Sequence, residues 1–313
     1  MIVKTAEFVS PKHPDKMCDY IADAILDAYL SKDEYSHTAI EVIGGHNLIC
    51  VVGEVKSNAK IDMEEVVRKI IGKNYKIIIN VGEQSHEIAR GVDAGGAGDQ
   101  GIMMGYACDE TESLMPLEYE LARNLCQKIY EVHPYDGKTQ VTIHDKKVVK
   151  TVASFQNVAS ADLEKLARSI IRSDEYIINP AGDWNVGGFD ADSGLTGRKI
   201  IIDSYGPNIP IGGGSFSGKD PTKVDRSGAY MARKIAVDYL KKRNTDEVFV
   251  RLAYAIGRKD PVMQRVIINN REEEIAGYDL TPNGIISFLD LRKPVYKKTS
   301  SMGHFGRGFL WDK

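Results

Sequence analysis

Apolar residues recur at helical spacing in three stretches of the chain: HPDKMCDYIADAILDAYL (13–30), MPLEYELARNLCQKIY (115–130) and TKVDRSGAYMARKIAVDYL (222–240). In the first, Ile21, Ala24, Ile25, Ala28 and Tyr29 fall on one face. Each opens with a proline at or near its first turn, Pro14, Pro116 and Pro221, where a missing N–H costs nothing. The same order of β-rich runs surrounds each helix. One strand-like run precedes it, at 2–9, 101–108 and 199–205. Two alternating runs follow, at 37–43 with 47–55, 138–144 with 147–154, and 247–256 with 262–269. Gly44-Gly45-His46-Asn47 and Asp145-Lys146 supply turn chemistry in the first two pairs. A second helical run comes next (61–71, 160–172, 281–289), then a short β run (76–80, 176–179, 294–298). The pattern predicts an α+β protein of three similar β-α-β-β-α-β units, each about 100 residues long. Their boundaries fall at 1–98, 99–185 and 186–313, with room for strands exchanged between units.

Composition narrows the function classes. The 313 residues are 42% apolar and 27% charged, which excludes a disordered or fibrous chain. Lys plus Arg number 41 against 44 Asp plus Glu, a net charge of −3, so no basic footprint points to nucleic acid or a membrane surface. Apolar runs fall far short of the ~20 residues that a membrane span needs. The start of the chain has no charged segment followed by an apolar run, so nothing directs export. Cys18, Cys50, Cys108 and Cys126 form no CxxC pair and read as reduced thiols of a cytoplasmic protein. Glycine is abundant, at 29 residues, and much of it gathers in the loops 82–101, 181–197 and 206–218. Long loops in a compact chain are usually functional, and the chemically capable side chains concentrate there.

GAGDQG (96–101) contains a GxGxxG string, but no strand precedes it and no helix opens at its end, so the context argues against a dinucleotide fingerprint. GGGSFSGKD (212–220) approaches a phosphate loop: Gly213, Gly218 and Lys219 fit GxxxxGK, while Asp220 stands where such a loop has Ser or Thr. It leads into a helix, whose N-terminus favours an anion, and Lys219 and Lys223 can add full charge. HPDK (13–16) sits at another helix start. Asp15 and Asp19, four apart, can face one site, and Asp15 suits either a helix cap or a magnesium ion. Arg198-Lys199 sits beside glycines ahead of an apolar run, and paired cations there can hold phosphate. Trp184, in a glycine-flanked loop, can stack on a purine or staple the loop down.

Taken together, these pieces resemble one family, the S-adenosylmethionine synthetases (methionine adenosyltransferases). HPDKMCDYIADAILDAYL, GAGDQGIMMGYACDET, MPLEYELA, DGKTQVT, NPAGDWNVGG, DSGLTGRKIIIDSYG, GGGSFSGKDPTKVDRSGAYMAR, YAIG and GHFGR occur in the family's order from Thr5 to Arg307. The resemblance implies three similar α/β domains around a pseudo-threefold, with methionine sulfur attacking C5′ of ATP. Tripolyphosphate leaves and is hydrolysed to pyrophosphate and phosphate. It also implies a site at the interface of a homodimer or dimer of dimers, with Mg²⁺ (about two per site) and K⁺ as cofactors.

Residue by residue, the resemblance places His13 beside the departing phosphate oxygen and makes Asp15 and Asp225 the magnesium carboxylates. Lys138, Arg198, Lys199 and Lys219 match the cations that hold polyphosphate, and Lys223 matches one at the methionine end. Glu54, Gln84 and Asp192 match methionine contacts. Asp99 matches a residue near the ribose and methionine, and Glu41 the potassium carboxylate. Trp184 stands where the family stacks a phenylalanine on adenine, with Ile256 covering the other side.

The chain departs from the family at several points. It is shorter, it reads SPKHPDK in place of SEGHPDK, its loop after Gln84 is reduced, and Phe189 and Ala191 replace Pro and Gly. Two other classes compete with the synthetase: a phosphohydrolase or kinase built on Gly213–Lys219, and a non-catalytic ATP-binding relative. Several like charges converging on one cleft argue against a remnant.

Overall fold

Alternating burial makes a half-buried strand of several β-rich runs, as in His37–Gly45, where buried and open positions alternate. The computed structural model describes residues 2–83 and 95–313; Gln84 lies outside them. The first part of the chain runs β1 (Val3–Val9), α1 (Pro14–Leu30), β2 (His37–Gly45), β3 (Leu48–Lys56), α2 (Met63–Ile71) and β4 (Lys76–Glu83). The middle follows with β5 (Gly101–Cys108), α3 (Leu117–Val132), β6 (Gly137–His144), β7 (Lys147–Phe155), α4 (Ser160–Ile170) and β8 (Glu175–Ile178). The last part contains β9 (Gly194–Leu195), α5 (Ile200–Asp203), α6 (Val224–Arg243), β10 (Glu247–Tyr254), β11 (Met263–Ile268), β12 (Arg271–Glu274), α7 (Pro282–Phe288) and α8 (Tyr296–Thr299).

Three four-stranded sheets result, in the orders β1-β6-β7-β8, β12-β11-β10-β5 and β4-β3-β2-β9. Each takes one edge strand from another part of the sequence. β1 pairs with β6, β5 with β10, and the short β9 with β2, so the exchange closes in a ring. The long helices α1, α3 and α6 lie on these sheets with their apolar faces in the core. α6 sits close to β5, because a side chain on Gly105 would lie only 2.1 Å from the Ala232 carbonyl oxygen.

Two expected strands are helical. The run at 199–205 contains α5, and the exchanged strand is β9 instead. Gly197, at φ +77°, turns the chain, and the Asp203 N–H then bonds to the Lys199 carbonyl at 2.8 Å while its carboxylate reaches Lys16. Tertiary pairing overrides the β propensity of three isoleucines. The run at 294–298 ends in α8, whose first N–H groups, from Tyr296 and Lys297, bond to Asp27 at 2.9 and 3.0 Å. The fourth strand there is β12, joined to β11 across Asn269-Asn270, both with positive φ as a tight hairpin requires. β4 and β8 instead run parallel to their neighbours, which the crossover helices α2 and α4 allow.

Candidate functional site

α1 carries aspartates at 15, 19, 23 and 27, one per turn along a single face, and all four are buried. Each accepts a backbone N–H from the chain beyond residue 194. Asp15 takes Leu195 (3.0 Å), Asp19 takes Gly197 (2.9 Å), Asp23 takes Gly218 (2.9 Å), and Asp27 takes Tyr296 and Lys297. The glycine-rich loops 181–197 and 206–218 are therefore hung on one helix. Asp15 also holds Lys199 at 2.5 Å, with Arg198 at 3.6 Å. Burial opposes its charge, but Lys199 and the Leu195 N–H prevail and hold its carboxyl below the usual range.

His13 caps α1, its Nδ1 accepting the Asp15 N–H at 3.2 Å. The replaced residues Pro11 and Lys12 form a turn in which the Ser10 carbonyl accepts the His13 backbone N–H at 3.0 Å, so the backbone that carries the imidazole is fixed as well. Burial, with Lys199 and Lys138 nearby, lowers its pKa to about 4. The ring is neutral at pH 7, and because Nδ1 is an acceptor, Nε2 carries the proton. Lys138 enters from β6, next to Val9 of β1, and Asp192 also acts on the His13 charge. His13, Asp15, Lys138, Asp192, Arg198 and Lys199 thus form one group.

A second group lies around the loop before α6. Lys219 pairs with Asp225 at 2.6 Å, and Asp225 also lies against Gly214 and against Gly101, two residues along the chain from Asp99. Glu41 sits between Lys219 and Asp19; burial raises its pKa although Lys219 opposes the shift. Ala39 bridges Lys219 and lies opposite Glu54 in the β2–β3 ladder, which brings Glu54 to the same edge. Ile256 follows β10 beside the Ala97 loop, where Gly257 bonds to the Ala97 carbonyl at 2.8 Å.

The resemblance to a phosphate loop at 212–220 dissolves in the structure. The Gly218 N–H is taken by Asp23 and the Lys219 N–H by the Phe216 carbonyl, so neither is presented to an anion. Asp220 is a buried anchor that accepts the N–H groups of Thr38 and Thr222 at 2.8 and 2.9 Å and pairs with Lys223. Trp184 is half-buried, and its indole N–H donates to Ser154 Oγ at 3.0 Å. Ser154 stands opposite Lys138 across β6–β7, so the indole belongs with the first group.

The motif search did not single out Asp136, whose burial raises its pKa and which accepts the Gly188 N–H at 2.9 Å beside Lys138. Nor did it single out Lys16, buried between Asp19 and Asp203. Lys16 lies inside HPDK; only its burial distinguishes it from a solvated lysine. Among the described residues, no three His, Cys, Asp or Glu side chains gather as a metal cluster.

Comparison with known proteins agrees along the whole chain. The N-terminal, central and C-terminal domain families of S-adenosylmethionine synthetase match residues 1–86, 94–183 and 186–313. An S-adenosylmethionine synthase of a Nitratiruptor species is 40% identical over 365 aligned positions, covering 99% of this chain and 95% of the relative. The enzyme of the same name from Paramagnetospirillum magneticum is 40% identical over 369 positions with the same coverage. That of Helicobacter pylori is 38% identical over 365, again at 99% and 95%.

Proposed function

This chain belongs to the S-adenosylmethionine synthetase family, and we infer from it how the two charged groups divide the work. The protein is a methionine adenosyltransferase, forming S-adenosylmethionine from ATP and L-methionine. A thioether sulfur is a neutral nucleophile and needs no general base. The protein's task is to align sulfur with C5′ and to stabilise charge growing on the departing polyphosphate.

The observation that carries the mechanism is His13. Its neutral ring, with the proton on Nε2, can donate to the oxygen leaving C5′. Lys138, Arg198, Lys199 and Lys219 hold the polyphosphate, Asp136 and Trp184 frame the nucleoside, and Glu54, Asp192 and Lys223 serve methionine, with Gln84, outside the described residues, given the same role by the family resemblance. The site's oxygen donors fit a divalent ion carried in on the phosphates. Asp15 and Asp225 are single carboxylates, each now neutralised by a lysine, and Mg²⁺ takes one or two carboxylates plus phosphate oxygens. Bound there, the metal offsets polyphosphate charge. Glu41, half-buried, suits a K⁺ ion.

The site is completed by a second copy of the chain. Trp184 lies with the first group and Ile256 with the second, and in this reading each subunit supplies one wall of the adenine pocket. The outer face of the β4-β3-β2-β9 sheet supports this reading. It exposes Ile43, Val52 and Ile78 beside Glu41 and Glu54. Incubation with ATP, methionine, Mg²⁺ and K⁺ should yield S-adenosylmethionine, pyrophosphate and phosphate by mass. ADP as the product would instead indicate a phosphohydrolase or kinase, and no turnover a binding relative.

A further inference from the structure

Arg198 and Lys199 stand on a short loop whose two ends are tied to the same turn of α1. Before them, the Gly197 N–H donates to Asp19 Oδ1 at 2.9 Å. After them, Asp203 pairs with Lys16, whose ammonium also donates to Asp19 Oδ2 at 2.9 Å. The three charged side chains are fully buried. Between the ties, the Asp203 N–H bonds to the Lys199 carbonyl at 2.8 Å, and Tyr119 Oη donates to the Ile202 carbonyl at 2.6 Å.

A second layer backs Asp203. The His304 N–H donates to its carbonyl at 2.9 Å, and His304 Nδ1 meets Tyr230 Oη at 2.7 Å. His304 Nε2 is buried without a hydrogen-bond partner, 4.0 Å from Asp203 Oδ1. Tyr230 Oη in turn accepts from Arg226, which is bidentate on Asp23 at 2.7 and 2.8 Å.

Taking an ammonium and two carboxylates out of water is costly, and an apolar triad of the same volume is often as stable. Stability alone therefore does not account for this arrangement. What the charges provide is position: a directional tie at each end of a loop carrying two long, rotamer-rich cations. We propose that Lys16, Asp19 and Asp203, backed by His304, are positioning residues that hold Arg198 and Lys199 at the polyphosphate. None of the three needs to touch substrate. The proposal rests on the assignment of Lys199 to polyphosphate given above. A cation fixed in advance loses less freedom when the anion arrives, so the effect belongs in ATP binding and not in methionine binding.

The test is a double-mutant cycle on the full-length protein with Asp203→Asn and Lys199→Ala, reading the KM for ATP, the KM for methionine and inhibition by added tripolyphosphate. Asp203→Asn should raise the ATP KM and the tripolyphosphate inhibition constant about tenfold, with the methionine KM within about twofold. Added to Lys199→Ala it should have almost no further effect, because the tie acts through that residue. Multiplying effects in the double variant would overturn the clamp while leaving Lys199 in its role. An unchanged ATP KM in Lys199→Ala would overturn the site assignment and the clamp with it. If Asp203→Asn does not fold, the neutral triad Lys16→Met, Asp19→Asn and Asp203→Asn replaces it, since removing every partner of a buried network is better tolerated than removing one. Wild-type kinetics in that folded variant would also defeat the proposal.

Discussion

At the scale of single residues, the site depends on small asymmetries of environment. His13 and Lys199 are neighbours of the same carboxylate, and the histidine is held neutral because burial and the nearby cations disfavour a charge on its ring. Trp184 is anchored at one edge by the 3.0 Å bond to Ser154, which fixes the indole beside Lys138. An anchored ring stacks with little loss of freedom, and base–aromatic stacking is worth ~1–3 kcal/mol. Trp184→Ala should therefore raise the ATP KM by about ten- to a hundredfold, whereas Trp184→Phe should be mild. Steady-state kinetics with both substrates varied will check this. A lower melting temperature with unaltered ATP kinetics would make Trp184 a staple only.

Among the elements, α1 does the most. Its sequence is an ordinary amphipathic helix, but its aspartates turn one face into a rack that orders loops brought from far along the chain. Among the described residues Asp27 makes no ion pair; burial, aided by Asp23 and against the pull of two N–H bonds and Arg226, raises its pKa to about 6. The ordinary value for an unfolded aspartate lies about two units lower. Between the two values the native state holds the extra proton, so this group's contribution to stability grows as pH falls and is lost as pH rises through about 6. In urea unfolding from pH 7 to pH 4.5, wild type should gain on Asp27→Asn by up to about 1.4 kcal/mol per pH unit. Parallel curves for the two proteins would show that Asp27 does not titrate in this range.

For the whole molecule, the ring of exchanged strands means that no sequence unit closes its own sheet. What remains open is a face. Ile43, Val52 and Ile78 are 47%, 37% and 40% exposed on the outer side of one sheet, a contiguous apolar surface of the sort that marks an interface. Val52 stands opposite Glu41 in the β2–β3 ladder. Val52→Glu should convert a dimer to a monomer with its secondary structure kept, and activity should fall with association as protein is diluted. Light scattering and the product assay on the same samples will decide. A fully active monomer would place the whole site within one chain.

Much of this was legible in the order of residues. The three long helices with their prolines, the paired alternating runs and the glycine-rich loops follow from periodicity and turn chemistry, which are local. The motifs that carry the family resemblance are also local strings. The exchange of β1, β5 and β9 was not legible in detail, because an edge strand carries no mark of the sheet that it will join. Residues 200–203 read as strand and fold as helix, since a buried Lys16 waiting for Asp203 outweighs the preference of three isoleucines. In the same way GxxxxGK looks like an anion cradle until the structure shows its amides already bonded to Asp23 and Phe216. Sequence decides which chemical groups are available and on which element each lies. Tertiary structure decides which of them are left for a ligand, because a backbone amide already bonded inside the protein, like those of Gly218 and Lys219, is no longer on offer outside it.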